Sequence, residues 1–169
     1  MAIATLGITA RDQIAEARAL LVERQPSATD LVIIGCSWSG ARAEAERSGA
    51  FYFDVPCIGA MHSSTVEILL RGGAGGVLVA GCPEHDGRTR EGVTWTEARL
   101  FHGRGADLKP RVDRSRVRLV QATLGEGVTL HESVLAFAAE IEALASDPDE
   151  IDVIALCRNM KADSSGDPS

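Results

Sequence analysis

No stretch of this chain approaches the roughly 18 uninterrupted apolar residues of a membrane span. Its first residues, MAIATLGITARDQ, lack the basic start and apolar core of a secretory signal. A cytoplasmic location, away from any membrane, is expected. Basic residues are in the minority, 17 against 24 acidic ones, for a net charge of −7. That balance argues against a nucleic-acid surface, which needs a concentrated basic face. The one local basic run, Arg111, Arg114, Arg116 and Arg118, is interrupted by Asp113 and reads as a solvated approach to a strand. Also missing are the glycine spacing of a dinucleotide fingerprint, the lysine-ended phosphate loop and the elbow around a nucleophilic serine. Only seven residues are aromatic, and there are only four cysteines.

A hydrophobic share of 45% and a charged share of 24% are those of an ordinary globular protein, and 169 residues suffice for one domain with a real core. Residues 10–24 carry Ile14, Ala17, Leu20 and Leu21 on one stripe, which predicts an amphipathic helix. Apolar runs at 30–35, 51–56, 76–81 and 117–123 read as strands. Between them lie helical stretches: residues 40–48, stopped by Gly49; a helix opened by a Ser64/Glu67 capping box and ended by Gly72 and Gly73; and residues 94–102. A Thr129/Glu132 capping box is expected to open a last helix running to about Ala145. Ile151–Leu156 fits a fifth strand or a short helix equally, because periodicity does not separate the two at this length. The order β-α-β-α-β-α-β-α implies a small parallel sheet of four to five strands with helices on both faces, a flavodoxin- or Rossmann-like three-layer sandwich. Residues 1–28 are expected to be a helical extension, 29–146 the α/β domain, and 147–169 a C-terminal segment with a disordered tail.

Cys36, Cys57 and Cys82 each follow one of the first three apolar runs directly or within two residues. A parallel sheet gathers the carboxyl ends of its strands along one edge, where ligands collect. In a reducing compartment, clustered thiols point to a metal or iron–sulfur site more than to a disulfide. Taken singly, each cysteine also suits a small buried core position. His85, three residues after Cys82, and His62, five after Cys57, have the spacing of added metal ligands and equally that of surface histidines. Cys157 follows the last apolar run and joins the others only if that run is a strand of the same sheet. The backbone amides of Gly35–Gly40, opening a helix after a strand, offer an anion cradle with no specific signature.

Four segments together, CSWSGA at 36–41, VPCIGAMHSS at 55–64, GGAGGVLVAGC at 72–82 and EGVTWTEARL at 91–100, resemble the delta-subunit family of methyl-viologen-reducing hydrogenase. The resemblance covers roughly residues 30–145. It implies an electron carrier holding a [2Fe–2S] cluster on Cys36, Cys57 and Cys82, coupled to a flavoprotein partner that carries FAD or FMN, in a hetero-oligomer. Two positions depart from the family pattern: Ser39 stands where a second cysteine is typical, and Gly87 where another is. A fourth ligand would then come from His85, His62, Cys157, Ser39 or Asp86. The same departures suit a cluster-free docking subunit of a flavoenzyme, of a kind found beside demethylase-like oxidoreductases, with Trp38 and Trp95 as contact residues. A zinc site on the three cysteines and one histidine is the third expectation.

Overall fold

The computed structural model describes residues 8–83, 91–105 and 107–146. Helix α1 (Ala10–Arg24) leads into β1 (Leu31–Gly35), α2 (Ala41–Ser48), β2 (Phe51–Asp54), α3 (Ser63–Arg71), β3 (Gly76–Gly81), α4 (Gly92–Phe101), β4 (Val117–Gln121) and α5 (Gly127–Ala145). Single 3-10 turns at Ile58–Ala60 and Arg114–Arg116 precede α3 and β4. The four strands form one parallel sheet in the order β2-β1-β3-β4. The sequence expectation of a parallel three-layer α/β domain holds. Ile151–Leu156 lies outside the described residues.

β1 and β3 occupy the middle of the sheet and are buried throughout, which is why their sequences, LVIIG and GVLVAG, are apolar without alternation. Their side chains divide between two cores. Val32, Ile34, Val77 and Val79 face a cluster shared with Ala17 of α1, Val66 and Leu69 of α3, and Leu100 of α4. Leu31, Ile33, Leu78 and Ala80 face one shared with Ala41 and Ala45 of α2 and with Leu130, Val134, Phe137 and Ile141 of α5. Helix α1 is thus built into the first core.

Local chemistry sets the helix ends, and at two of them the sequence expectation is corrected. α3 begins at Ser63, where the His62 imidazole Nδ1 accepts from the Ser64 amide (3.2 Å). Glu67, expected to cap that helix, is buried and pairs with Arg111 and Arg71. α5 begins at Gly127, two residues before the expected Thr129, and the Glu126 carboxylate turns back onto the Thr123 amide (2.9 Å). Gly49, by contrast, ends α2 as expected, with φ of 77°, the left-handed conformation that glycine adopts without strain.

The arginine run is partly solvated, with Arg111 64% exposed, but its members are also engaged with the fold. Arg111 pairs with Glu67, and Arg114 donates to Leu100 O and Leu108 O (both 3.1 Å). Arg118 bonds Glu140 of α5 (2.6 Å). These side chains fasten the connection between α4 and β4 to the helices around it.

Among the described residues, no helix is long and apolar enough to cross a membrane.

Candidate functional site

In this strand order the chain leaves β1 toward β2 on one side and later returns to β3 on the other. The crevice beyond the carboxyl ends of β1 and β3 is therefore the topological switch point, the usual ligand position in open parallel sheets. Cys36 is the first residue after β1 and Cys82 the first after β3, so the two flank that crevice. Cys57 follows β2, the next strand outward. All three are present as thiols; Cys36 and Cys82 are buried and Cys57 is partly exposed.

The Cys36 turn is closed by Ser39. Its hydroxyl donates to Cys36 O (3.0 Å) and accepts from the Cys36 amide (3.2 Å), while the Ser39 amide bonds the same carbonyl (3.1 Å). The side chain is fully buried. Gly40 then enters α2 with φ of 68°, a conformation that would strain a residue bearing a Cβ.

On β2, the Tyr52 hydroxyl donates to Asp54 Oδ1 (2.6 Å) and lies 3.1 Å from Gly35 O, beside the Cys36 turn. The Arg42 guanidinium stacks 4.5 Å from its ring centroid. Burial, reinforced by the Asp54 carboxylate, holds this hydroxyl well above the ordinary phenol value of 10.0, with the Arg42 charge opposing. A folded pKa raised above the unfolded one favours the neutral phenol. The stability it contributes is complete below pH 10.0 and is lost as the pH climbs beyond it. Tyr52 is the only tyrosine, so tyrosinate ultraviolet absorbance reads it without interference. We expect that absorbance to stay flat as the pH passes 10.0 and to rise only with alkaline loss of fold. Ordinary titration at that value would mean the bonds to Gly35 and Asp54 are not kept.

The segment after Cys57 is held by other helices. Thr96 Oγ1 of α4 lies 2.9 Å from Ile58 O, Arg99 Nη2 lies 2.9 Å from Gly59 O, and Gln13 Nε2 of α1 lies 3.0 Å from Ala60 O. Gln13 Oε1 also accepts from the His62 amide (2.9 Å). Burial and the nearby Arg104 lower the Arg99 pKa from its usual value. Neither Gln13 nor Thr96 carries a sequence motif. The available signal was polarity at a helix position that the packing buries. At the start of α4, Trp95 bonds Glu91 through its indole N–H (2.9 Å) and stacks 4.0 Å from the Arg104 guanidinium.

Large apolar side chains are exposed along this same edge. Trp38 of the β1–α2 turn, Trp95 of α4, Leu124 of the β4–α5 turn and Val128 of α5 are between 44% and 71% exposed. The Trp38 and Leu124 turns adjoin, since a Cβ on Gly40 would stand 3.8 Å from Leu124 Cα.

Among the described residues, no three His, Cys, Asp or Glu side chains form a group able to hold a metal ion. His62 caps α3, and His85, Asp86, Gly87 and Cys157 lie outside the described residues. Three thiols are one short of the four ligands that a [2Fe–2S] centre usually takes, and the Ser39 oxygen is engaged with the Cys36 backbone. The described residues alone therefore do not complete such a site, nor a four-ligand zinc site.

Fold and edge together define a doubly wound α/β domain whose switch point is flanked by thiols and bordered by exposed apolar side chains. The sequence profile of the methyl-viologen-reducing hydrogenase, delta subunit, matches residues 32–145, and the chain belongs to that family. The match runs from β1 to the last residue of α5. The family takes its name from one subunit of a hydrogenase, an accessory chain of an oxidoreductase complex. No curated protein matches the chain.

Proposed function

We propose that the protein is an accessory subunit of a flavin-containing oxidoreductase complex and docks its partner through the carboxyl edge of the sheet. The observation that carries this reading is the placement of Trp38, Trp95, Leu124 and Val128. Among the described residues, four of the six exposed large hydrophobic side chains lie around the switch point. Buried aromatic anchors dominate protein interfaces, and side chains this large contribute little to the isolated chain. Co-expression with the flavoprotein subunit, followed by affinity measurement, tests it. Trp38→Ala combined with Leu124→Ser is expected to weaken association roughly 30-fold, the effect of losing about 2 kcal/mol at one aromatic anchor. The variant's own unfolding should stay near wild type. Unchanged affinity would remove this edge as the docking surface.

A second reading, in which the subunit also carries electrons through a [2Fe–2S] centre, is favoured by the three thiols on one sheet edge. Cys36, Cys57 and Cys82 would supply sulfur ligands, with the remaining ligand from residues outside those described. Anaerobic purification with iron and acid-labile sulfide analysis separates the readings. About two of each per chain would establish the centre, and Cys57→Ala would then abolish its visible absorbance. Metal-free, colourless protein that still binds its partner leaves the docking role standing alone.

A further inference from the structure

Three consecutive carbonyls follow Cys57, and each accepts a hydrogen bond from a side chain on one of two helices, α1 and α4. Ile58 O faces Thr96 Oγ1 and Gly59 O faces Arg99 Nη2, both from α4, while Ala60 O faces Gln13 Nε2 from α1. The contacts reinforce one another. Arg99 Nη2 also donates to Thr96 Oγ1 (3.1 Å), whose single proton is shared between Ile58 O and Gly92 O, each at 2.9 Å. Gln13 holds its amide in one orientation by accepting from the His62 amide and from Thr65 Oγ1 (3.4 Å). Gln13 and Thr96 are both almost wholly buried, and a buried polar side chain is costly unless it is satisfied. The Ala60 amide bonds Cys57 O (3.0 Å), which ties the cysteine's own backbone to the held turn.

We propose that Gln13, Thr96 and Arg99 are positioning residues for Cys57. Acting through this row of carbonyls, they fix a partly exposed thiol on the carboxyl edge from two helices that share no sequence with the cysteine segment. The proposal rests on the reading that this edge is the working surface. It extends that surface's support to α1, which precedes residues 32–145, the span matched by the family. Backbone held this way limits the local opening by which a partly covered thiol meets solvent.

The test is the alkylation rate of each cysteine in the isolated full chain, followed peptide by peptide with mass spectrometry and iodoacetamide as the probe. Thr96→Val removes the hydroxyl at nearly constant shape, Thr96→Ser keeps it, and Gln13→Leu removes the α1 contact. Arg99→Gln is the milder substitute should Thr96→Val not fold. Cys57 is expected to react roughly tenfold faster in Thr96→Val and in Gln13→Leu, the change that one lost hydrogen bond to a buried partner brings to a local opening equilibrium. Cys36 and Cys82 should keep wild-type rates, and Thr96→Ser should restore Cys57. Wild-type reactivity at Cys57, or equal acceleration of all three thiols, would overturn the proposal. Because the isolated chain is used, loss of partner binding would count against the proposed docking function and absence of iron only against its electron-carrying reading, and both leave this inference untouched.

Discussion

Phe137→Ala is expected to cost about 3–5 kcal/mol of folding stability, a large share of the 5–15 kcal/mol typical of a domain. Phe137 is fully buried and heads the largest buried side chains. It fills the space between α5 and the sheet face made by Leu31, Ile33, Leu78 and Ala80. The loss belongs at the high end of the range because several of its neighbours are small. Ala41, Ala45, Ala80 and Ala122 line the same core, and alanine has no rotamer with which to refill a cavity. The Arg118 guanidinium, 5.0 Å from the ring centroid, loses its aromatic partner as well. Urea unfolding followed by circular dichroism checks this, and the melting temperature should fall by roughly 10 °C. Phe137→Leu should recover most of the loss. A change under about 1 kcal/mol, the size of an average substitution, would mean that α5 does not dock on this face.

Gly35→Ala should be comparably damaging, and its damage should fall on the site. A Cβ there would stand 2.2 Å from Ala41 Cβ and 2.8 Å from Ser39 Oγ. Ala41 has no flexible end to swing aside, so the start of α2 must move. Displacing α2 pulls Ser39 from the Cys36 backbone and disturbs the buried Glu44, which is bonded to Arg47 and 2.8 Å from His131 Nδ1 on α5. Overpacking costs about 1–3 kcal/mol and occasionally more. With helix displacement added, we expect about 3 kcal/mol, read by denaturant midpoint. Cys36 alkylation should accelerate at denaturant concentrations where the wild type remains protected. Gly49→Ala is the control: nothing lies within 4 Å of its Cβ position, so only the strain of its positive φ, roughly 1 kcal/mol, is at stake. Equal effects at the two glycines would show that close approach at Gly35 is not the governing constraint.

The two central strands were legible because burial on both faces forces unbroken apolar runs, and 76–81 matched to the residue. α1 matched over 10–24 for a related reason, its stripe of Ala17, Leu20 and Leu21 against the first core. What sequence could not supply was the partner of each polar side chain. Ser64 and Glu67 have capping-box spacing, yet Glu67 finds Arg111, a residue 44 positions away, and His62 takes the cap. The arginines near β4 looked solvated because their acceptors are backbone carbonyls and distant carboxylates, none of which leaves a local pattern. That Cys36, Cys57 and Cys82 each follow a strand at the carboxyl edge was readable from topology alone, whereas topology did not reveal that no three ligating side chains among the described residues group to hold a metal ion. Ser39's engagement with the Cys36 backbone depended on a tight turn that leaves no pattern in the sequence.

Both tryptophans of this chain, and its single tyrosine hydroxyl, sit at the carboxyl edge of the sheet. Intrinsic fluorescence excited at the indole band therefore originates wholly from the surface proposed to meet a partner, with no contribution from the distant helix ends. Trp38 is open to solvent and Trp95 is held against Arg104, so the two emitters begin in different surroundings. Covering the edge should shift the emission of Trp38 to shorter wavelength, and a quencher in solution should lose access to it first. The protein thus brings a label-free optical readout of its own docking, and each single Trp→Phe variant would assign the signal to one side of the crevice.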